Sequence, residues 1–285
     1  MTDEIREIIK SALIEDVASG DITTKATIPG NILGKGIFLI KDEGIIAGFE
    51  VVEEVFKTVD EGLVLLKNLK DGDHVKNGDI AAIIEGSAAS ILIGERTALN
   101  FFQRMSGIAT IANRFSELVS HTNAKIIDTR KTAPGLRAID KMAVKLGGCD
   151  NHRIGLYDMF LIKDNHIAVA GSISKAVKAC MEYRENLTGN FLIEVETTNL
   201  VEVAEAIKSG ADVIMLDNFD IVEMQKAVSL INGKCKVEAS GGVNIYTVKE
   251  IAETGVDYIS VGALTHSVKA LDISLNVVLS KINAR

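Results

Sequence analysis

Residues 211–242 read ADVIMLDNFDIVEMQKAVSLINGKCKVEASGG, and this stretch decides the fold. An apolar run, VIMLDN (213–218), closes on Asp217 and Asn218. A segment with apolar residues at helical spacing, 221–231, follows it. A second run, KVEASGG (236–242), then closes on Ser240, Gly241 and Gly242. Compact strand–helix units of about 22 residues, with strands apolar on both faces, specify a parallel sheet covered by helices.

Outward from this stretch the unit recurs. Strand-like runs lie at AKIIDT (124–129), MFLIK (159–163), FLIEVE (191–196) and YISVGA (258–263). Helical patterns lie at 135–146, about 172–185, 199–209 and 246–254. In 135–146, Leu136, Ile139, Ala143 and Leu146 share one face, with Pro134 near the start and Gly147 past the end. The strands end, on their C-terminal side, in polar residues or glycine: Asp128 and Arg130, Lys163 and Asp164, Glu194 and Glu196, Asp217 and Asn218, Ser240 to Gly242, Gly262. A barrel of parallel strands gathers such ends on one face, where the active sites of that fold sit. An open doubly wound sheet would concentrate chemistry at one switch point instead. The predicted core is therefore an α/β barrel, and its six clear strands make it incomplete or seven-stranded.

Upstream, residues 3–16 place Ile5, Ile8, Ile9, Ala12 and Leu13 on one helical face, and a polar linker follows at 19–31. Segments 35–41 and 44–48 read as strands and 49–60 as a helix. DGDHVKNGD (71–79) is two turn signals around a short strand; it has the look of a biotin- or lipoate-carrier turn but no lysine at a hairpin tip, so it reads as a plain β-turn. From Ala88 to about Ser120 the pattern is helical, with Gly94 and Gly107 as weak points and Gly107 as the expected break. The domains expected are an N-terminal α/β domain over 1–108, the barrel over 109–267, and a tail over 268–285. In that tail Leu271, Ile273, Leu275 and Val277 alternate, as in a strand returning to the first domain, with a closing helix as the alternative.

The 285 residues carry a formal net charge of −8. With no basic tail or basic–aromatic interleaving, nucleic acid is not an expected partner. No apolar run reaches the roughly 18 residues of a membrane span. The acidic amphipathic N-terminus is not an export signal. Three widely spaced cysteines, Cys149, Cys180 and Cys235, argue against a disulfide framework and fit a reducing, cytoplasmic setting.

Against this acidic background, 128–166 concentrates Arg130, Lys131, Arg153 and Lys163, a trap for a small, multiply charged anion. Arginine's planar fork suits carboxylates and lysine supplies a point charge. Lys163 ends an apolar strand and requires an anionic partner, with Asp164 the nearest in sequence. His152 is placed to donate to an anionic ligand, and His166 to start a helix or support the site. No HExxH spacing occurs, so zinc is not expected. Ser240, Gly241 and Gly242, followed one unit later by Gly262, suit a phosphate held by backbone N–H groups. Glu194, Glu196 and Asp217 suit sugar hydroxyls, or Mg2+ held mainly by substrate phosphates, or neutralisation of the cations.

These residues lie in long runs that closely resemble quinolinate phosphoribosyltransferase: GERTALNFFQRMSGIAT (94–110), DTRKTAPGLRAIDKMAVKLGG (128–148), DNHRIGLYDMFLIKDNHI (150–167), EVETTN (194–199), LDN (216–218), EASGGV (238–243) and ETGVDYISVGALTHSVKALDISL (253–275). EDVASGDITT (15–24) is similar to that family's N-terminal segment. The resemblance implies an N-terminal sandwich-like α/β domain, an incomplete C-terminal barrel, and a reaction of quinolinate with phosphoribosyl pyrophosphate to give nicotinate mononucleotide, pyrophosphate and CO2, with Mg2+. It implies a homodimer or higher oligomer in which Arg96, the arginine of ERT, reaches the partner's site. Thr129, Arg130, Lys131, His152, Arg153 and Lys163 would then hold quinolinate. Glu196 and Asp217 would face the ribose and the Mg2+-pyrophosphate, and Ser240, Gly241, Gly242 and Gly262 the 5′-phosphate. Lys131, Lys163, Glu196 and Asp217 would be the catalytic set. Ala133 and Cys149 depart from the pattern beside the cationic positions. A molybdenum-uptake-associated paralogue of the same fold and a non-catalytic phosphometabolite-binding protein are the alternatives.

Overall fold

The structure, a computed structural model, describes residues 1–30 and 32–279. In chain order the elements are α1 (Asp3–Val17), α2 (Ile22–Thr27), β1 (Leu33–Ile40), β2 (Gly44–Ile45), α3 (Phe49–Val59), β3 (Val64–Lys67), β4 (His74–Val75), β5 (Ile80–Ser87), α4 (Ala88–Val119), β6 (Lys125–Ile127), α5 (Arg137–Leu146), β7 (Phe160–Ile162), α6 (Asp164–Ala170), α7 (Ile173–Arg184), β8 (Ile193–Thr197), α8 (Leu200–Ser209), β9 (Val213–Asp217), α9 (Ile221–Ile231), β10 (Lys236–Ser240), α10 (Val248–Glu253), β11 (Tyr258–Ser260), α11 (Ala263–His266) and β12 (Ile273–Leu279). They form two compact units. One holds residues 1–113, 132–148 and the C-terminal segment from 267; the other holds 114–131 and 149–266.

The first unit is built on an antiparallel sheet in the order β12-β1-β5-β3. β12 pairs along β1, with Gly36 opposite Val277 and Phe38 opposite Leu275. The alternating tail is therefore a returning strand, and Leu271, Ile273 and Leu275 are buried. Residues 280–285 of the expected tail lie outside the described residues. Phe38 meets Phe102 edge-on at 5.7 Å and Phe56 at 6.1 Å, joining the sheet to α4 and α3.

Three expectations need correction here. The linker at 19–31 contains α2, whose first N–H groups, Thr23 and Thr24, donate to the Asp21 carboxylate at 2.9 and 3.0 Å. α4 runs through Gly107 without a break. A Cβ there would lie 2.1 Å from the Lys269 carbonyl oxygen, so this glycine admits a crossing backbone and does not end a helix. Within α5 the buried positions include Asp140 and Lys141 as well as Ile139 and Ala143, and this helix groups with the first unit. The 71–79 segment is the plain pair of turns expected: Asp73 and Asp79 accept from the N–H groups of Lys70 and Lys76, flanking β4.

The second unit is a six-stranded parallel sheet in the order β6-β11-β10-β9-β8-β7, its strands matching the six apolar runs. β6 and β7 are its two edges, so the barrel is incomplete; beyond β6 an isolated parallel bridge joins Ile127 to Asp150. Helices α7, α8 and α9 begin on side-chain caps from Ser172, Asn199 and Asp220. In the register Glu196 lies beside Met215 and Met215 beside Glu238, while Asp217 lies beside Ser240 two residues further along. Paired residues share a face, so this register places acidic side chains of three strands on the same side of the sheet. No helix among the described residues is long and apolar enough to cross a membrane.

Candidate active site

The second unit holds every expected site residue except Arg96, which is exposed on α4 in the first unit. The strand ends meet in three linked groups.

The first is organised by Asp128, fully buried just past β6. Its carboxylate accepts from the His152 backbone N–H at 2.9 Å and from the Asn151 side-chain amide at 2.7 Å. A single buried anion thus fixes the Asn151–Arg153 segment against the end of β6. Arg153 donates from Nη1 to the Met159 carbonyl at 3.2 Å, yet its Nε is buried with no hydrogen-bond partner. Burial lowers the Arg153 pKa, and the neighbouring positive charge of Arg130 lowers it further. Two guanidinium groups held this close, one with an unmet donor, are arranged for an anionic ligand. Cys149 is buried, and burial followed by Asp150 and Asp128 pushes its thiol up to about 12, so it is not a nucleophile.

The second group is His152 with two glutamates. His152 Nε2 lies 2.8 Å from Glu194 Oε2 and 3.4 Å from Glu238 Oε2, and both glutamates are essentially without solvent exposure. Burial works to lower the His152 pKa, but hydrogen bonds and charge from Glu194 and Glu238 outweigh it and raise the value to about 10. The ring is therefore an imidazolium at neutral pH, and Nε2–H donates. Burial, then the neighbouring Glu238, drives the Glu194 pKa upward. The arrangement of His152, Glu194 and Glu238 has metal-ligand proximity, and within it the His152 ring is hydrogen-bonded to the Glu194 carboxylate. Expected as neutralisers of several cations, the two glutamates of β8 divide: Glu194 takes His152 and Glu196 takes Lys163.

The Lys163 ammonium donates to Glu196 Oε2. This corrects Asp164 as its partner. Asp164 begins α6 and turns its carboxylate to the Asn165 N–H at 2.7 Å. His166 does start a helix: its Nδ1 accepts from the Lys163 N–H at 3.0 Å.

The third group joins strand ends β9, β10 and β11. Asn218 adopts a left-handed φ of 56°, donates its N–H to the Ser240 carbonyl at 2.9 Å and its side-chain amide to Asp217 at 2.9 Å. Gly241 has a φ of +93°, and a Cβ on it would come within 2.2 Å of Asn218 Oδ1. The two loops interlock only with glycine there. Lys131 passes across Gly262, 3.1 Å from where a Cβ would stand, and its carbonyl accepts from Thr265 Oγ1 at 2.9 Å. Thr129 Oγ1 accepts from the Lys131 N–H at 3.1 Å.

Three contributors escaped the sequence reading: Glu238, Asn218 and the anchoring role of Asp128. Glu238 sits two residues before Ser240, as Glu194 sits two before Glu196, and that shared strand period was the available signal. For Asp128 the signal was an acid at a strand end followed at once by cations.

Comparison with known proteins gives matches over nearly the whole chain. Residues 21–106 match the family model described as quinolinate phosphoribosyl transferase, N-terminal domain, and 108–276 match its C-terminal domain. Quinolinate phosphoribosyltransferase [decarboxylating] 2b, mitochondrial, of Nicotiana tabacum is 47% identical, over 97% of this chain and 83% of that protein. The chloroplastic nicotinate-nucleotide pyrophosphorylase [carboxylating] of Arabidopsis thaliana is 46% identical over 97% of this chain and 83% of its own length. Among solved structures, NadC from Streptococcus pyogenes superposes with a TM-score of 0.93 at 38% identity, covering 99% of this chain and all of that one. With both family domains matched in order along one chain, and strand ends that gather cations, carboxylates and glycine loops, the protein belongs to the quinolinate phosphoribosyltransferase family.

Proposed function

We propose that this chain transfers phosphoribose from phosphoribosyl pyrophosphate to quinolinate with loss of CO2, forming nicotinate mononucleotide and pyrophosphate. Family membership gives the reaction class, and the paired guanidinium groups of Arg130 and Arg153 carry the choice of a dianionic acceptor. Arg130, Lys131, Arg153, Lys163 and the imidazolium of His152 bind the two carboxylates and aim the pyridine nitrogen at ribose C1, with Thr129 fixing the turn at Lys131. As the bond from C1 to pyrophosphate breaks, positive charge grows on C1, and Glu196 and Asp217 are the carboxylates at hand to stabilise it. The new C1–N bond leaves the ring cationic. That charge eases departure of the adjacent carboxylate as CO2, the electron pair staying on the ring carbon until it takes a proton. Ser240, Gly241, Gly242 and Gly262 offer backbone N–H groups to the 5′-phosphate. No general base is required.

Mg2+ takes oxygen ligands, and the half-buried Asp217 carboxylate with diphosphate oxygens fits that preference. When bound, the ion neutralises the leaving pyrophosphate. Incubation with quinolinate, phosphoribosyl pyrophosphate and Mg2+ is expected to yield mononucleotide and CO2 in equal amounts. Absence of both products across pH and salt rejects the reading.

The site is also proposed to be shared in a homodimer or larger oligomer. Edge strand β7 and helices α6 and α7 border an apolar groove of about 870 Å3 in which Leu156, Tyr157 and Val169 are largely exposed, as suits a face covered by a second copy. Exposed Arg96 would enter the partner's site. Mixing Arg96→Ala and Lys163→Ala proteins is expected to restore up to about a quarter of wild-type activity, the share of wild-type sites in randomly mixed dimers. No recovery after confirmed subunit exchange would show that each site is built from one chain.

A further inference from the structure

Behind His152 lie two buried acids that the reaction as described does not use. Glu194 on β8 and Glu238 on β10 are 0% and 1% exposed, and both present Oε2 to the same nitrogen of His152. The other oxygen of each, Oε1, is buried without a hydrogen-bond partner. Two buried acids around one ring are costly, because a buried carboxylate demands compensation. Coil-like surface glutamates would do nothing comparable; these two come from strands held apart by β9, and their convergence is fixed by the sheet.

We infer that Glu194 and Glu238 are positioning residues that hold His152 as a fixed cation at the floor of the quinolinate pocket. His152 is tethered at both ends of its residue. Asp128 accepts its backbone N–H, and the two glutamates accept its ring N–H. Groups that face it include Asp128 from the end of β6, Glu194 from β8 and Glu238 from β10, with Arg153 next in the chain and Arg130 near that arginine. A neutral imidazole here would present a lone pair toward an anion; the glutamates prevent that without themselves touching the ligand. The acids in the floor therefore serve an anion site from behind, by keeping its histidine charged.

This inference rests on quinolinate being the bound dianion, and its test separates the two. Quinolinate binding is measured by calorimetry, without turnover, for wild type and the Glu194→Gln/Glu238→Gln variant from pH 6 to pH 9. The His152 ring is followed by 15N NMR in the same samples. Wild type is expected to show a doubly protonated ring at pH 8 and no loss of affinity from this residue across the range. The variant is expected to show a neutral ring at pH 8 and about tenfold weaker quinolinate binding, with the deficit shrinking as pH falls. Phosphoribosyl pyrophosphate binding is expected to change by less than the quinolinate term. A deficit of the same size at every pH, or a neutral His152 in wild type at pH 8, overturns the inference. A variant that fails to fold leaves the wild-type NMR reading decisive. Wild type that binds no quinolinate at any pH overturns the proposed reaction instead, and the NMR result still decides the role of the glutamates.

Discussion

Asp128→Ala is expected to lower kcat/KM by about a hundredfold, the largest catalytic loss of any residue outside the ligand-contacting set. Asp128 touches no substrate in the proposed reaction. It is a fully buried acceptor for the His152 N–H and the Asn151 amide, and it fixes the loop that carries His152 and Arg153. Alanine removes the shared acceptor of these two part-buried donors, at about 1–3 kcal/mol for each hydrogen bond left unmade. The loop then shifts, and two of the five cations move with it. Displacement of about 1 Å in a positioning group is enough for a loss of this order. Steady-state kinetics against both substrates provide the check. Quinolinate parameters should worsen more than those of phosphoribosyl pyrophosphate, because Ser240 to Gly242 and Gly262 belong to other loops. Asp128→Asn keeps one acceptor oxygen and the side-chain shape, so it should fall between. If Asp128→Ala binds and turns over quinolinate within threefold of wild type, the anchoring role is wrong.

The barrel was legible because its strands are buried on both faces. A run such as VIML has nothing polar to misread, and β6 to β11 fall on the six apolar runs, β8 reaching one residue past its run. β3 and β5 in the first unit were not read. Val64, Leu66 and Ile80 are exposed there, so the hydrophobic pattern carries little information about which way the strand faces. Gly107 shows the opposite difficulty. In isolation glycine weakens a helix, and only the backbone of Lys269, 162 residues away in sequence, explains its presence. The cations of 128–166 were legible as a group, since several of one sign in an acidic chain need a common cause. Their partners were not. Asp164 is adjacent to Lys163 in sequence, but adjacent residues on an extended chain point to opposite sides, and Glu196 on the neighbouring strand is on the correct side. Glu238 was missed for the same reason: what makes it meet His152 is the order of strands in the sheet, which spacing along the chain does not encode.

Arg104→Ala is expected to give the largest loss of stability, about 3–5 kcal/mol, seen as a fall in Tm of about 6–20 °C. Arg104 lies on α4 and Asp140 on α5, both in the first unit. The guanidinium donates from Nε to Asp140 Oδ1 and from Nη2 to Asp140 Oδ2, each at 2.8 Å, a two-pronged contact with a carboxylate that has no solvent exposure. The same Oδ2 lies 3.4 Å from the Ala133 N–H, so the pair also steadies the start of the 132–136 turn. Alanine at 104 leaves a buried carboxylate without its cation, and desolvation that the pair offset is then uncompensated. A surface ion pair such as Lys10 with Glu7 would cost under about 1 kcal/mol by comparison. The cost belongs to the orphaned charge and not to any special strength of the pair. The apolar replacement Arg104→Met/Asp140→Leu should therefore recover most of the lost Tm, short of the Ala133 hydrogen bond, which leucine cannot accept. Thermal unfolding of the wild type, the single variant and the double variant gives the comparison. A double variant as unstable as Arg104→Ala would show that the helices need the pair for its geometry, and that burial of an unpaired charge is not the dominant cost.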